Sequence, residues 1–94
     1  MVDSKTVLSI GDKNYFCKTV GESDVYTFAG ITGDFFQLHL DEAYAKNTRF
    51  GRRIAHGLLS DSFVAGVLGG KLPGSGSIML EHFVEFKKPV FIGD

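Results

Sequence analysis

The sequence predicts an α+β domain in which an antiparallel sheet wraps round one long buried helix. Residues 55–70 carry a single formal charge, Asp61, and would place apolar or small side chains on every face of a helix, which is typical of a helix buried all round. Residues 77–88 alternate between two faces with a period of two, which predicts a strand with one buried face. A length of 94 residues allows a single domain, residues 1–94.

The composition excludes several classes of protein. With 44% hydrophobic and 22% charged residues, the chain has ordinary globular composition. A net charge of -1 supplies no general field for binding nucleic acid or an anionic membrane. The single cysteine, Cys17, cannot form an internal disulfide and has no partner at metal-ligand spacing. Because the sequence also shows neither a membrane-spanning run nor a secretory signal, we expect a cytoplasmic protein.

Shorter strands are predicted at both ends of the chain. Residues 5–10 and 14–20 are rich in β-branched and aromatic side chains and flank a Gly-Asp turn at positions 11–12. Pro89 terminates the later alternating pattern, and residues 90–94 look like the approach to another strand. So few strands cannot cover a helix of about 24 Å, or about five strand widths. We expect that the C-terminal strands are missing or that a second chain completes the sheet.

Two short helices are predicted between the first strands and the buried helix. Ser23 can cap a helix over residues 24–31, and Asp41 can cap another over residues 42–46. Residues 32–40, between these helices, follow neither a helical nor a strand period and predict an ordered loop. Loops of this kind often carry catalytic or binding side chains.

Asp34 and His39 in that loop are the first candidate site. A carboxylate and an imidazole that converge in a partly desolvated pocket can share proton transfers. The alternative is purely structural, with Asp34 closing an Asx turn and His39 a hydrogen-bonded, half-buried histidine. Their spacing alone favours the structural alternative.

His56-Gly57, at the start of the buried helix, is the second candidate. Backbone N–H groups in the first turn of a helix lack intrahelical acceptors, and a glycine there lets a ligand carbonyl approach closely. The pair could therefore serve as an oxyanion site. Alternatively, Gly57 relieves crowding at the helix entrance and His56 helps to cap it.

A local run of basic residues lies between these two candidates. It could hold the phosphates of a ligand, or it could be an exposed, solvated loop, and the sequence does not separate the two. The run consists of Lys46, Arg49, Arg52 and Arg53.

Three blocks of sequence together resemble a known family. They are Thr-Gly-Asp-Phe-Phe-Gln-Leu-His-Leu-Asp at 32–41, Phe-Gly-Arg-Arg-Ile-Ala-His-Gly-Leu-Leu at 50–59 and Phe-Lys-Lys-Pro-Val-Phe-Ile-Gly-Asp at 86–94. In order and spacing they look like the MaoC-like dehydratases, specifically the (R)-specific enoyl-CoA hydratases. The resemblance extends from about Gly11 to Asp94 and implies the hot dog fold, a sheet curled round a central helix, usually in a homodimer or higher homo-oligomer.

The resemblance also implies roles for individual residues. Asp34 and His39 would be the catalytic pair that adds water to a trans-2-enoyl-CoA, and the Gly57 N–H would stabilise the oxyanion. The product would be an (R)-3-hydroxyacyl-CoA, formed without metal or redox cofactor. Acyl-CoA is then the expected partner, and the arginines near the site could bind its phosphates. Substrate-binding residues would be Phe36, Leu38, His56 and Ser62.

The sequence departs from the family pattern in three places. Phe36-Gln37 stands where the family usually has Asn-Pro. A serine found late in the central helix of some members falls on Ala65, which leaves Ser62 as the nearby hydroxyl. Family members also continue for about three more strands beyond the motif that ends here at Asp94.

Two other functions fit the same sequence. One is a thioesterase on the same fold, in which water would attack the carbonyl carbon. The other is a non-catalytic module that binds acyl thioesters or self-associates through exposed sheet edges. Release of free thiol would reveal the first, and binding or assembly without turnover would reveal the second.

Overall fold

The computed structural model describes residues 7–94, and this part of the chain contains five short helices. No helix within it is long and apolar enough to cross a membrane. Its strand pairing is limited to an isolated antiparallel bridge. The helices are α1 (Glu22–Thr32), α2 (Gln37–Leu40), α3 (Glu42–Lys46), α4 (Gly57–Ser62) and α5 (Val64–Gly70).

Helix α1 begins two residues earlier than the sequence predicts. Its cap is Gly21, whose N–H donates to the Asp24 carboxylate at 2.9 Å, so Ser23 is not the cap. Lys18 lies 2.8 Å from the same carboxylate, and its hydrogen bond, with that from Gly21, lowers the pKa of Asp24. The helix ends at Thr32 and is capped by Gly33, whose φ of 80° favours glycine.

Helix α3 confirms the predicted Asp41 cap. The Asp41 carboxylate accepts the backbone N–H of Ala43 at 3.0 Å and that of Tyr44 at 3.3 Å. Between α1 and α3 the predicted loop over residues 32–40 contains one helical turn, α2, so that prediction was wrong for the residues from Gln37 to Leu40.

The predicted long helix forms as two helices, α4 and α5, joined at Phe63. Phe63 keeps right-handed helical angles, but bonds between residues three apart tighten the chain on both sides of it. The described residues do not supply the burial on every face that the pattern predicts, as expected if further strands or a second chain cover the helix. Leu59 is buried in α4, α5 has no buried residue, and Leu58 is 60% exposed. No sheet in the described residues covers the remaining faces.

The predicted strands do not form within the described residues. The turn at Ser9 to Asp12 is present, with the Asp12 N–H donating to the Ser9 carbonyl at 3.1 Å, but the flanking segments do not pair. Residues 5 and 6 lie outside the described residues. Over 77–88 both predicted faces are exposed, Leu80 by 93% and Phe83 by 87%. A strand needs a neighbour for its backbone N–H and C=O groups, and this segment has none in the described chain.

Three segments distant in sequence nevertheless meet beside the helices. Ile54 and Phe91 form the antiparallel bridge, and Val20 pairs with the last two residues, accepting from Gly93 at 2.8 Å and donating to Asp94 at 2.9 Å. The radius of gyration, 16.2 Å, exceeds the about 12 Å expected of a compact chain this long. The chain nevertheless has a small hydrophobic core beside the helices, built round Val20, Val25, Ala55 and Leu59.

Candidate active site

A cavity of about 510 Å³ lies between α1, the loop that follows it, the start of α4 and residues 86–90. Both sequence candidates open onto it, since Asp34, His39, His56 and Gly57 all contribute to its wall. The structure therefore brings together two motifs that the sequence places about twenty residues apart. We call Asp34, His39 and His56 the two-histidine cluster.

His39 is held by backbone and by a ring stack. Its Nδ1 lies 2.8 Å from the carbonyl oxygen of Ile54. A carbonyl only accepts, so Nδ1 carries the proton, and a neutral His39 has a free lone pair on Nε2. The ring stacks on that of His56 with centroids 4.0 Å apart. His39 is buried and has an Nε2 that can accept a proton.

The two carboxylate oxygens of Asp34 have different surroundings, one typical of a structural role and one available for a functional role. Its Oδ1 accepts the Phe36 N–H at 3.2 Å, which is the Asx turn considered from the sequence. The other oxygen, Oδ2, lies 4.0 Å from Nε2 of His56, and the side chain is 50% exposed. One carboxylate oxygen thus fixes the loop and the other faces the cluster.

The separation of these groups suits a single water molecule. One potential ligand atom from each member of the two-histidine cluster lies within 4.8 Å of the others. A water that hydrogen-bonds two atoms at about 2.8 Å each, at a tetrahedral angle, separates them by about 4.6 Å. The same nitrogen and oxygen donors could hold a divalent metal ion, but ligands about 2.1 Å from zinc lie closer together than this. The atoms of the cluster lie within 4.8 Å of one another, so its spacing admits a water molecule between its members.

Gly57 is the first residue of α4, and its N–H has no hydrogen-bond acceptor within residues 7–94. The Phe86 ring packs against this residue. A Cβ atom added at position 57 would lie 3.0 Å from Cε1 of the Phe86 ring. The glycine thus gives Phe86 room to pack at the start of α4.

Three predicted substrate-binding residues lie outside the cavity wall. Phe36 caps α2 and packs edge-on against the His39 ring at 5.7 Å. Leu38 is half-buried, and its carbonyl accepts the Ile54 N–H at 3.4 Å. The Ser62 hydroxyl donates to the Leu59 carbonyl at 2.6 Å, which removes it as a free donor. His56, the fourth, does line the cavity.

The residues of the basic run lie in different surroundings. Arg49 lines the cavity, with its guanidinium 4.7 Å from the Phe50 ring centroid. Arg53 instead donates to Glu22, Glu42 and Tyr26, and these contacts, the one to Glu22 above all, raise its pKa further above the ordinary arginine value. Arg49 is therefore the member of the basic run that lies at the cavity, where it could contact a ligand.

The sequence did not indicate several residues that shape the cavity. The carbonyl that fixes His39 belongs to the backbone of Ile54, so no side-chain pattern could reveal it. Phe28 packs edge-on against His56 at 5.0 Å, and Phe86 covers Gly57, although both belong to patterns that predict core packing. Lys88 lines the cavity, as Arg49 does. Only its position in a Lys-Lys-Pro motif could have signalled Lys88.

Comparison with known proteins gives a consistent result. Residues 6–94 match the family described as the MaoC like domain. An (R)-specific enoyl-CoA hydratase of Rhodospirillum rubrum is 48% identical over 84 residues, which are 89% of this chain and 58% of the relative. The enzyme of the same name from Aeromonas caviae is 47% identical over 87 residues, 93% of this chain and 65% of the relative.

Solved structures agree with the sequence relatives. The (R)-hydratase from A. caviae, described as involved in PHA biosynthesis, superposes with a TM-score of 0.90 at 47% identity, covering 93% of this chain and 66% of that one. An R-hydratase from Pseudomonas aeruginosa gives 0.88 at 40% identity, covering 92% and 56%. These similarities confirm the hot dog fold at the level of the chain's overall path. The chain spans about three fifths of the length of these relatives.

Proposed function

The chain belongs to the MaoC-like domain family, and from this premise we propose that it is an (R)-specific enoyl-CoA hydratase. The reaction is the reversible addition of water to a trans-2-enoyl-CoA, which gives an (R)-3-hydroxyacyl-CoA. The names of the two bacterial relatives support this substrate class. The arrangement of the two-histidine cluster supports the chemistry.

The proposed mechanism begins with a water molecule held between Asp34 and His39. Nε2 of His39 removes a proton as the water oxygen bonds to the β-carbon of the enoyl thioester. The electron pair of the carbon–carbon double bond shifts toward the thioester carbonyl. The catalytic pair then delivers the proton taken from the water to the α-carbon, so that H and OH have been added and no other reactant is needed. Asp34 orients the water, supports the charge on His39 and shares with it the transfer of that proton.

Gly57 has the oxyanion role in this proposal. Negative charge develops on the thioester oxygen as water attacks, and an N–H without another acceptor can stabilise it. A thioester is its own electron sink, so the proposal includes neither a metal nor a redox cofactor. Two proton-transfer groups and one oxyanion donor suffice.

Coenzyme A is the proposed acyl carrier. Three cationic side chains, Arg49, Lys87 and Lys88, line the cavity. Lys87 forms an ion pair with Glu85 at 2.7 Å. Cations at the mouth of a cavity attract polyanionic substrates and raise their local concentration. We assign phosphate recognition to Arg49 and Lys88.

A cytoplasmic homodimer or higher oligomer, with the antiparallel sheet completed round α4 and α5, belongs to the proposal too. Large apolar side chains are exposed on the segment predicted as a strand, including Leu80 and Phe83. Exposed apolar surface and unpaired backbone favour association with another chain. Sedimentation equilibrium would give the number of copies.

The convergence of Asp34, His39 and His56, with one nitrogen or oxygen atom of each within 4.8 Å of the others on the wall of one cavity, is the observation that carries this function. The test is hydration of crotonyl-CoA by the 94-residue chain, followed by chiral analysis of the product. Asp34→Asn and His39→Ala should each lower kcat by about 10²- to 10⁴-fold, since each removes an acid–base group. Asp61→Asn and His82→Ala are matched controls, because this hydrogen-bonded pair lies outside the cavity wall.

The outcomes separate the competing functions. Equal rates for the parent chain and both site variants would exclude catalysis by this pair. Release of free coenzyme A thiol, without hydration, would indicate a thioesterase instead. Binding of crotonyl-CoA without either product would indicate a non-catalytic module.

A further inference from the structure

His56 is one of two buried polar residues in the described part of the chain, at 3% exposure. Its Nε2 lies 3.0 Å from the backbone carbonyl oxygen of Asp34. A carbonyl only accepts, so Nε2 carries a proton and donates it. This bond ties the start of α4 to the loop that carries Asp34, across 22 residues of sequence.

The ring of His56 makes a second, separate contact. It stacks on the His39 ring with an interplanar angle of 28°, and Phe28 supports it from another direction. His39 is otherwise held by one hydrogen bond, from Nδ1 to Ile54, and by the edge of the Phe36 ring. A single bond leaves a ring free to rock about it, and a stacked neighbour restricts that motion. The imidazole of His56 therefore contacts both groups of the proposed catalytic pair.

The remaining ring nitrogen of His56 argues against a direct role in binding substrate. Nδ1 is buried and has no hydrogen-bond partner. Nε2 is already engaged with Asp34, and little of the residue's surface is exposed to the cavity. Neither nitrogen is thus presented to a thioester.

We propose that His56 is a positioning residue, which holds the Asp34 loop through its Nε2–H and the His39 ring through its stack. The inference rests on the hydratase function proposed above and replaces the substrate-binding role expected from the sequence. Two properties of one imidazole, a donor and a flat face, serve two different catalytic groups.

Two variants separate these properties. His56→Phe keeps a flat ring against His39 but removes the donor to Asp34, whereas His56→Gln keeps a donor but removes the ring. The same changes at His82, which is 41% exposed and lies outside the cavity wall, are the matched controls. Steady-state hydration of crotonyl-CoA is measured for each chain, and ¹⁵N-edited NMR follows the His39 ring nitrogens at one fixed pH.

Each His56 variant should lower kcat by about 10- to 100-fold, with KM changed less than about twofold, because misplaced catalytic groups affect the reaction more than binding. The His39 Nδ1–H signal should persist in His56→Phe and broaden or vanish in His56→Gln. Both His82 variants should resemble the parent chain.

Three results would overturn the proposal. One is a raised KM with unchanged kcat, which would make His56 a substrate-binding residue. Another is an unchanged His39 signal in His56→Gln, and the third is loss of the folded state in both variants, which would leave His56 only a core role. If the parent chain shows no hydration, the proposed function fails, whereas the NMR comparison still decides whether His56 positions His39.

Discussion

Replacing Gly57 by alanine tests the packing at the oxyanion position directly. The added Cβ would lie 3.0, 3.1 and 3.2 Å from three carbons of the Phe86 ring. Carbon atoms pack best about 3.5–4.0 Å apart, so the ring or the start of α4 must move by about 0.5 Å. The start of α4 is fixed, because the His56 carbonyl accepts two helical N–H groups. Phe86 is 55% exposed, so we expect the ring to move first.

The magnitude follows from two opposing effects. Overpacking costs about 1–3 kcal/mol, and an exposed ring that can move places the cost at about 1 kcal/mol. Alanine is a better helix former than glycine, by up to about 1 kcal/mol in a helix interior and by less at the first position of a helix. In a Phe86→Ala background the overpacking is absent, and only the gain in helix propensity remains. Gly57→Ala should therefore destabilise the parent chain and slightly stabilise the Phe86→Ala chain.

Urea denaturation of the four chains of this double-mutant cycle measures the coupling, which we expect to be about 1 kcal/mol. Hydration of crotonyl-CoA should follow the same pattern, with kcat reduced about tenfold by Gly57→Ala alone, if the displaced ring disturbs the oxyanion site. An equal loss of kcat in both backgrounds would refute the reasoning. It would mean that the glycine is needed for direct approach of the thioester rather than for Phe86.

Three further predictions concern pH, an ion-pair network and metal ions. Because the folded-state pKa of Asp24 is lowered, its contribution to stability is present above its unfolded pKa and is lost as the pH falls through the folded value. The thermal midpoint of the parent chain should thus fall more on acidification than that of Lys18→Met, with Lys13→Met as control; equal slopes would contradict this. Arg53→Met should lower the free energy of unfolding by about 1–2 kcal/mol in urea, and Arg53→Lys by less, because lysine keeps the positive charge although it lacks the planar fork that reaches all three acceptors. EDTA should leave hydration unchanged, because the proposed mechanism includes no metal ion; activity lost to EDTA would refute the metal-free mechanism.

The features that the sequence predicted well are local ones. The Asp41 cap needs only donors two and three residues away, so its residue type and position sufficed to predict it. The start of α1 was misplaced because Asp24 reaches back to Gly21, and this competes with a cap at Ser23. Asp34 and His39 lie five residues apart, and a short loop can bring both to one cavity.

Features that depend on distant partners could not be predicted in the same way. The period of two over residues 77–88 describes which side chains could share a face, but a strand forms only when another strand satisfies its backbone. The same holds for the burial of α4 and α5. Their apolar side chains indicate that other segments pack on them, but do not show which segments these are. The Ile54 carbonyl that orients His39 carries no side-chain signal at all.

The links that assemble the site do not pass through an extended sheet. Two hydrogen bonds, from His39 to Ile54 and from His56 to Asp34, join the loop to the start of α4 over 15 and 22 residues. The bridge between Ile54 and Phe91 attaches the C-terminal segment, whose residues 86–90 also line the cavity. Since all three links converge on residues 54–56, the proposed catalytic geometry can form before the faces of α4 and α5 are covered. Covering those faces would then add stability, while Asp34, His39 and His56 keep their positions.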